Sequence, residues 1–230
     1  MENCVNSKDI MVDNVQNNAN SLDISNKNKN LSSARDMSKK FQNGKESSAI
    51  PSGFSGLDKI IKGFKKSNFV VIGSKSSVGK SDFALNIVNN LCQQNRSVEF
   101  FSIEVSGEDL MTRFMAINAG VESRKICNNR LMDENERQKC GKAYSKIKNF
   151  KMYIKGASVI GIYELKAHAR KMKEYYGVEI IFIDRIGLIS VEHAHLPRFD
   201  QIADLSRNIR ALANEIDIPI IVLCQLDSSA

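Results

Sequence analysis

An α/β fold with a mainly parallel sheet and helices on both faces is predicted by three observations. Short apolar runs at residues 69–72, 98–103, 179–183 and 219–223 alternate with longer segments whose apolar residues recur at helical intervals. These runs are apolar almost throughout, as strands covered on both faces are. A Gly79-Lys80-Ser81 triplet sits where the first run gives way to a helical pattern, the strand–loop–helix junction that suits phosphate.

The elements follow in order. Residues 1–48 are rich in Asn, Ser, Asp and Lys, and their sparse apolar residues predict a disordered polar tail. Leu31, Ala34, Met37 and Phe41 fall near helical spacing there and could form a short docking helix. The folded domain is expected over residues 49–230. Ser55 is expected to cap a short helix through Leu57, Ile60 and Ile61 that stops at Gly63. A buried strand, Phe69-Val70-Val71-Ile72, then leads through Gly73 into a loop of small residues. The helix after the loop carries Phe83, Ala84, Ile87, Val88 and Leu91 on one face. The second strand ends at Glu104, and Ser106 should cap the next helix, with Asp109 in the capping-box position. Further helices are expected over residues 133–147, 162–176 and 199–216, and strands over 152–154, 179–183 and 219–223.

The loop Ser74-Lys75-Ser76-Ser77-Val78-Gly79-Lys80-Ser81 departs from G-x-x-x-x-G-K-[ST] only at its first position, where Ser74 stands and Gly73 lies one residue early. Such a loop turns its backbone N–H groups to phosphate oxygens, here along Ser76, Ser77, Val78, Gly79, Lys80 and Ser81. Lys80 would reach the β- and γ-phosphates of ATP, and the Ser81 hydroxyl would hold Mg²⁺. The apolar strand ending in Asp184 delivers a carboxylate to the sheet edge where ligands of such folds sit, placing it to serve the same metal. Glu104 ends a strand too, either as a general base for the attacking water or as an ordinary strand-end charge. Gln225 follows the last strand, and its amide could sense the γ-phosphate. His193 and His195 form an H-x-H without a third ligand, better read as loop than as a metal site. The Lys/Arg residues of the helix at 162–176 read as a solvated face; Arg207 and Arg210 could be the same or could reach a neighbouring subunit.

Composition narrows the class. The hydrophobic fraction of 42% suits a globular core, and no run of eighteen apolar residues predicts a membrane span. The first residues lack an apolar signal segment, and Cys4, Cys92, Cys127, Cys140 and Cys224 form no metal-ligand spacing, so a cytoplasmic location is expected. Cys92 and Cys224 read as core residues. The net charge is +7. The first fifty residues hold seven Lys/Arg against six Asp/Glu, so nearly all of that excess belongs to the folded part. It allows a polyanionic partner or a plain basic surface.

The combination resembles a DnaB-type replicative helicase in its RecA-like C-terminal ATPase domain. The resemblance is carried by Ile50-Pro51-Ser52-Gly53-Phe54 with Leu57-Asp58, by Ser77-Val78-Gly79-Lys80-Ser81 continuing as Phe83-Ala84-Leu85-Asn86-Ile87, and by Phe101-Ser102-Ile103-Glu104-Val105-Ser106. Ile183-Asp184 with Leu188-Ile189, residues 209–219, and Val222-Leu223-Cys224-Gln225-Leu226 complete it, in order, over residues 50–226. It implies a RecA-like P-loop NTPase in which the last strand lies between the P-loop strand and the strand of Asp184, with Glu104 beyond. It also implies ATP-driven translocation on single-stranded DNA, duplex unwinding in replication, a hexameric ring and ATP bound between subunits. In such a domain Glu104, Lys80 and Gln225 would be catalytic, and Ser81 with Asp184 would serve the metal.

The departures matter as well. The family's N-terminal collar domain has no counterpart in this sequence, Arg185 and Gly187 replace the usual tyrosine and glutamine, and the loop at 191–198 is short. The sequence stops at Ala230, before the segment that would carry the family's arginine finger. Feeble hydrolysis by this chain alone is therefore expected. A second reading is a non-unwinding nucleotide-binding partner that joins full-length helicase subunits.

Overall fold

The structure, a computed structural model, describes residues 49–156, 159–191 and 195–226. The expected polar tail and His193 lie outside the described residues. The description begins at a clasp. Ile50 and Phe64 exchange backbone hydrogen bonds of 2.8 and 2.7 Å across helix α1 (Ser55–Ile61). Ser55 does not cap that helix; it is its first residue, after an N-cap Phe54 without a side-chain cap bond. The Asp58 carboxylate instead accepts from the N–H groups of Ser52 (2.8 Å) and Gly53 (3.1 Å). Gly53 has φ +83°, and a Cβ there would stand 2.5 Å from Asn90. The Ser-Gly-Phe…Leu-Asp stretch is thus a backbone clasp lying against the next long helix.

Strands and further α-helices follow among the described residues. They are β1 (Phe69–Ser74), α2 (Lys80–Gln93), β2 (Val98–Ser102), α3 (Gly107–Ala119), α4 (Ser123–Cys127), α5 (Glu134–Ile147) and β3 (Met152–Gly156). Next come β4 (Ile160–Gly161), α6 (Ile162–Tyr176), β5 (Ile180–Asp184), β6 (Ile189–Ser190), α7 (Arg198–Ile216) and β7 (Ile220–Gln225). Five strands form one parallel sheet in the order β1-β7-β5-β2-β3. The last strand therefore lies between β1 and β5, the order the resemblance implies. Short β4 and β6 pair separately.

The pleat sorts the core into two layers. Val98, Phe100, Ile180, Phe182, Ile221 and Leu223 meet Ala84, Leu85, Val88 and Leu91 of α2 and Leu110 and Phe114 of α3. The alternate residues Phe101, Ile181, Ile183, Ile220 and Val222 meet Leu165 and Ala169 of α6 and Leu205, Ile209 and Leu212 of α7. Phe100 and Phe182, opposite each other in register, stack with ring centroids 6.0 Å apart.

Capping follows chemistry near Ser106, whose Oγ accepts from Asp109 N–H at 3.0 Å. Asp133 and Glu136 form a reciprocal capping box on α5. Three further expectations change. β1 is an edge strand with Val71 52% exposed, because only β7 pairs with it among the described residues. Phe83 stays 38% exposed and packs on Phe54 at 5.3 Å instead of entering the core. Cys224 is half-buried, whereas Cys92 is buried, which pushes its thiol up to about 12. No helix among the described residues is long and apolar enough to cross a membrane.

Candidate functional site

The carboxyl ends of four adjacent strands converge on the loop between β1 and α2. In register, Ser74 lies opposite Gln225, and Ser102 opposite Asp184. The N–H groups of Ile103 and Glu104 both reach back to Asp184 O, at 2.8 and 3.2 Å. That bonding holds the end of β2 beside the end of β5.

The loop's shape comes from two left-handed residues, Ser77 at φ 62° and Gly79 at φ 89°. Gly79 is the N-cap of α2 and no side chain caps the helix there. The first N–H groups of α2 are therefore left without a side-chain acceptor, with the positive end of the helix dipole behind them. The cavity over them measures about 350 Å³. The loop lines it with Lys75, Ser76, Ser77, Gly79, Lys80 and Ser81, and other elements add Glu104, Val105, Arg113 and Gln225. A larger, more open cavity of about 790 Å³ shares Glu104 and Val105 with it. The smaller one combines the loop, cations from two helices and an exposed amide.

Asp184 lies beneath this cavity, 1% exposed. Its Oδ2 accepts a 2.5 Å hydrogen bond from Ser81 Oγ, and its Oδ1 has no partner. Burial raises its pKa, while the Ser81 bond and the Lys80 charge work against that rise. An unpartnered, buried carboxylate oxygen next to a hydroxyl fits a divalent cation held partly by water. Among the described residues no three His, Cys, Asp or Glu side chains group as a metal cage, so phosphate and water would supply most other ligands.

The sequence-predicted residues Ser76, Ser77, Gly79, Lys80, Ser81, Glu104 and Gln225 all line one cavity. Asp184 touches it through Ser81, whereas Val78, 69% exposed, is not among its lining residues. Arg113 went unread in the sequence, although it lies nine residues beyond Glu104 on the helix that Ser106 caps. Helical periodicity from that cap was the signal that could have turned it toward the loop. Of the other candidates, Arg207 pairs with Asp204 at 3.3 Å on its own helix, and Arg170 of α6 grips Glu215 through two bonds of 2.6 and 2.9 Å.

A doubly covered parallel sheet with this loop at its carboxyl edge defines a P-loop nucleotide-binding domain of the RecA-like class. The family model described as "DnaB-like helicase C terminal domain" matches residues 49–230, and the chain belongs to that family. It is 31% identical over 186 residues to the replicative DNA helicase DnaB of Geobacillus stearothermophilus, a match covering 80% of this chain and 41% of that protein. It is 33% identical over 185 residues to the Helicobacter pylori DnaB, covering 80% and 38%. The chain thus spans about two fifths of these relatives. Among solved structures, one ATPase domain superposes with a TM-score of 0.77 at 26% identity, covering 84% of this chain and 69% of that one. A DnaB-like replicative helicase, described with its primase interactions, gives 0.78 at 25% identity, covering 87% and 49%.

Proposed function

We propose that this domain binds ATP with Mg²⁺ over the β1–α2 loop and hydrolyses it, as the motor domain of a replicative helicase moving on single-stranded DNA. The observation that carries the reading is the Ser81–Asp184 bond beneath a cavity walled by Lys80, Glu104 and Gln225. It ties the phosphate loop to the strand end in the way a metal–phosphate site needs.

The N–H groups of residues 76–81 receive phosphate oxygens, and Lys80 adds a point charge at the β- and γ-phosphates. Mg²⁺, held by Ser81 and by Asp184 directly or through water, would neutralise charge on the β- and γ-oxygens. Glu104, in the wall of the same cavity, orients and deprotonates the attacking water. Gln225, exposed at the end of β7, donates its amide to the γ-phosphate and carries the loss of that contact to its strand. Arg113 adds a further cation to the cavity beside Lys75 and Lys80. Assembly into a hexameric ring, with ATP between subunits and DNA through the centre, completes the proposal. A cation contributed by a neighbour adds on the order of 10³–10⁵ in rate to such sites, so isolated chains should turn over slowly.

Glu104→Gln is expected to keep ATP affinity within about threefold while phosphate release falls roughly 10²–10⁴-fold. Undiminished release would return Glu104 to the role of a strand-end charge. Unwinding of forked DNA by this chain with no other protein supports the motor reading. Tight nucleotide binding without unwinding, restored only by full-length helicase subunits, supports a partner of a complete ring.

A further inference from the structure

Beside Glu104 stands a cation that the chemistry above does not use. Arg185 follows Asp184 at the end of β5, and its Nε lies 3.6 Å from Glu104 Oε2. The backbone brings the two residues together, since Ile103 and Glu104 both donate to Asp184 O. Arg185's side chain is only 25% exposed, and its Nε has no hydrogen-bond partner. It lines a separate cavity of about 370 Å³ with Gly187, Arg198 and Gln225. Gln225 is the wall shared with the phosphate cavity. Arg185 therefore stands behind Glu104 and Gln225, within reach of the carboxylate and outside the phosphate cavity.

A partly exposed ion pair of this length adds little to fold stability, so its consequence lies in the site. Glu104 faces the cavity where the last phosphate of a nucleoside triphosphate would arrive. A diphosphate ends short of it. Bringing the γ-phosphate beside a lone carboxylate sets like charges together, a cost that a neighbouring cation removes.

We propose that Arg185 is the in-chain counter-charge of Glu104, a positioning residue that gives the site its preference for nucleoside triphosphate over diphosphate. The inference rests on the nucleotide reading above. Arg185 acts through Glu104 and does not touch the nucleotide.

The test is equilibrium titration of the full chain with Mg·ADP and with Mg²⁺ and an ATP analogue bridged by an imido group. Arg185→Met, which keeps length without charge, is expected to lower the triphosphate-to-diphosphate affinity ratio by roughly tenfold, inside the 5–150-fold span of couplings between sites. ADP affinity should stay unchanged, showing an intact fold. Arg185→Lys should retain the ratio, and in a Glu104→Gln background Arg185→Met should no longer move it. An unmoved ratio in Arg185→Met overturns the proposal. So does an equal fall in the Glu104→Gln background, which would mean direct contact with nucleotide, or a parallel loss of ADP affinity, which would mean a structural role. Lys80→Ala, measured alongside, keeps the two readings apart. If it abolishes binding that Arg185→Met leaves alone, only this proposal fails; if the parent chain binds neither nucleotide, the nucleotide reading fails with it.

Discussion

Asp184 and Glu99 sit on paired strands, β5 and β2, and are 1% and 0% exposed. Burial raises the pKa of both. Their places along the strand separate them. Asp184 closes β5 at the edge where the loop arrives, so Ser81 and Lys80 reach it and one oxygen stays available to a ligand. Glu99 is near the start of β2, on the face covered by α6. His168 Nε2 is 2.7 Å from its Oε1 but poorly aligned, its Oε2 has no partner, and the His168 ring packs edge-on against Phe101 at 5.4 Å. Burial lifts Glu99 to about 8, with Lys155 pulling the other way. Burial, then Lys155 and Lys171, lower His168 against the pull of Glu164. The same chemical group thus meets the loop at one strand's end and a helix-covered core at another strand's start.

The same acid-to-amide exchange should have opposite effects at the two positions. Asp184→Asn keeps a hydrogen-bond acceptor for Ser81 but removes the charge. It is expected to weaken Mg²⁺-dependent ATP binding about 10–100-fold with little change in melting temperature, as a titration at varied Mg²⁺ would read. Glu99→Gln should do the reverse. Folded Glu99 keeps a proton that the unfolded chain releases above about 4.5, so parent stability falls as pH rises from there through about 8. Glu99→Gln should remove that decline and gain about 1–3 kcal/mol at pH 8 in denaturant unfolding, with ATP affinity unmoved. The lowered pKa of His168 predicts a separate loss below its usual 6.5, and the variant should keep it. The smallest effect belongs to the cap beside the site. Ser106→Ala removes the acceptor for Asp109 N–H and should cost about 1 kcal/mol, without changing which nucleotide binds.

Much of the fold was legible because apolar runs and helical periodicity encode burial directly. Helix α6 begins and ends at the expected residues, 162 and 176. The strand order came from the resemblance, since spacing cannot say that β7 returns between β1 and β5. What sequence missed has physical causes. Phe69-Val70-Val71-Ile72 reads as buried whether a strand has one neighbour or two, so the single pairing of β1 among the described residues was hidden. Ser55 looks like a cap but is the first residue of α1, and the Asp58 carboxylate binds N–H groups that precede the helix, whose N-cap carries no side-chain bond. The loop, Glu104, Asp184 and Gln225 were legible as strand-end residues. Arg113, Arg185's pairing with Glu104 and the burial of Glu99 depend on side chains from separate elements meeting, which spacing does not record.

The most direct test of the nucleotide site is calorimetric titration of ATP with Mg²⁺ into the parent chain and Lys80→Ala. The parent is expected to bind, and Lys80→Ala, still folded, to lose at least about tenfold in affinity as a charge-assisted phosphate contact disappears. Equal affinity in the two proteins would contradict that expectation.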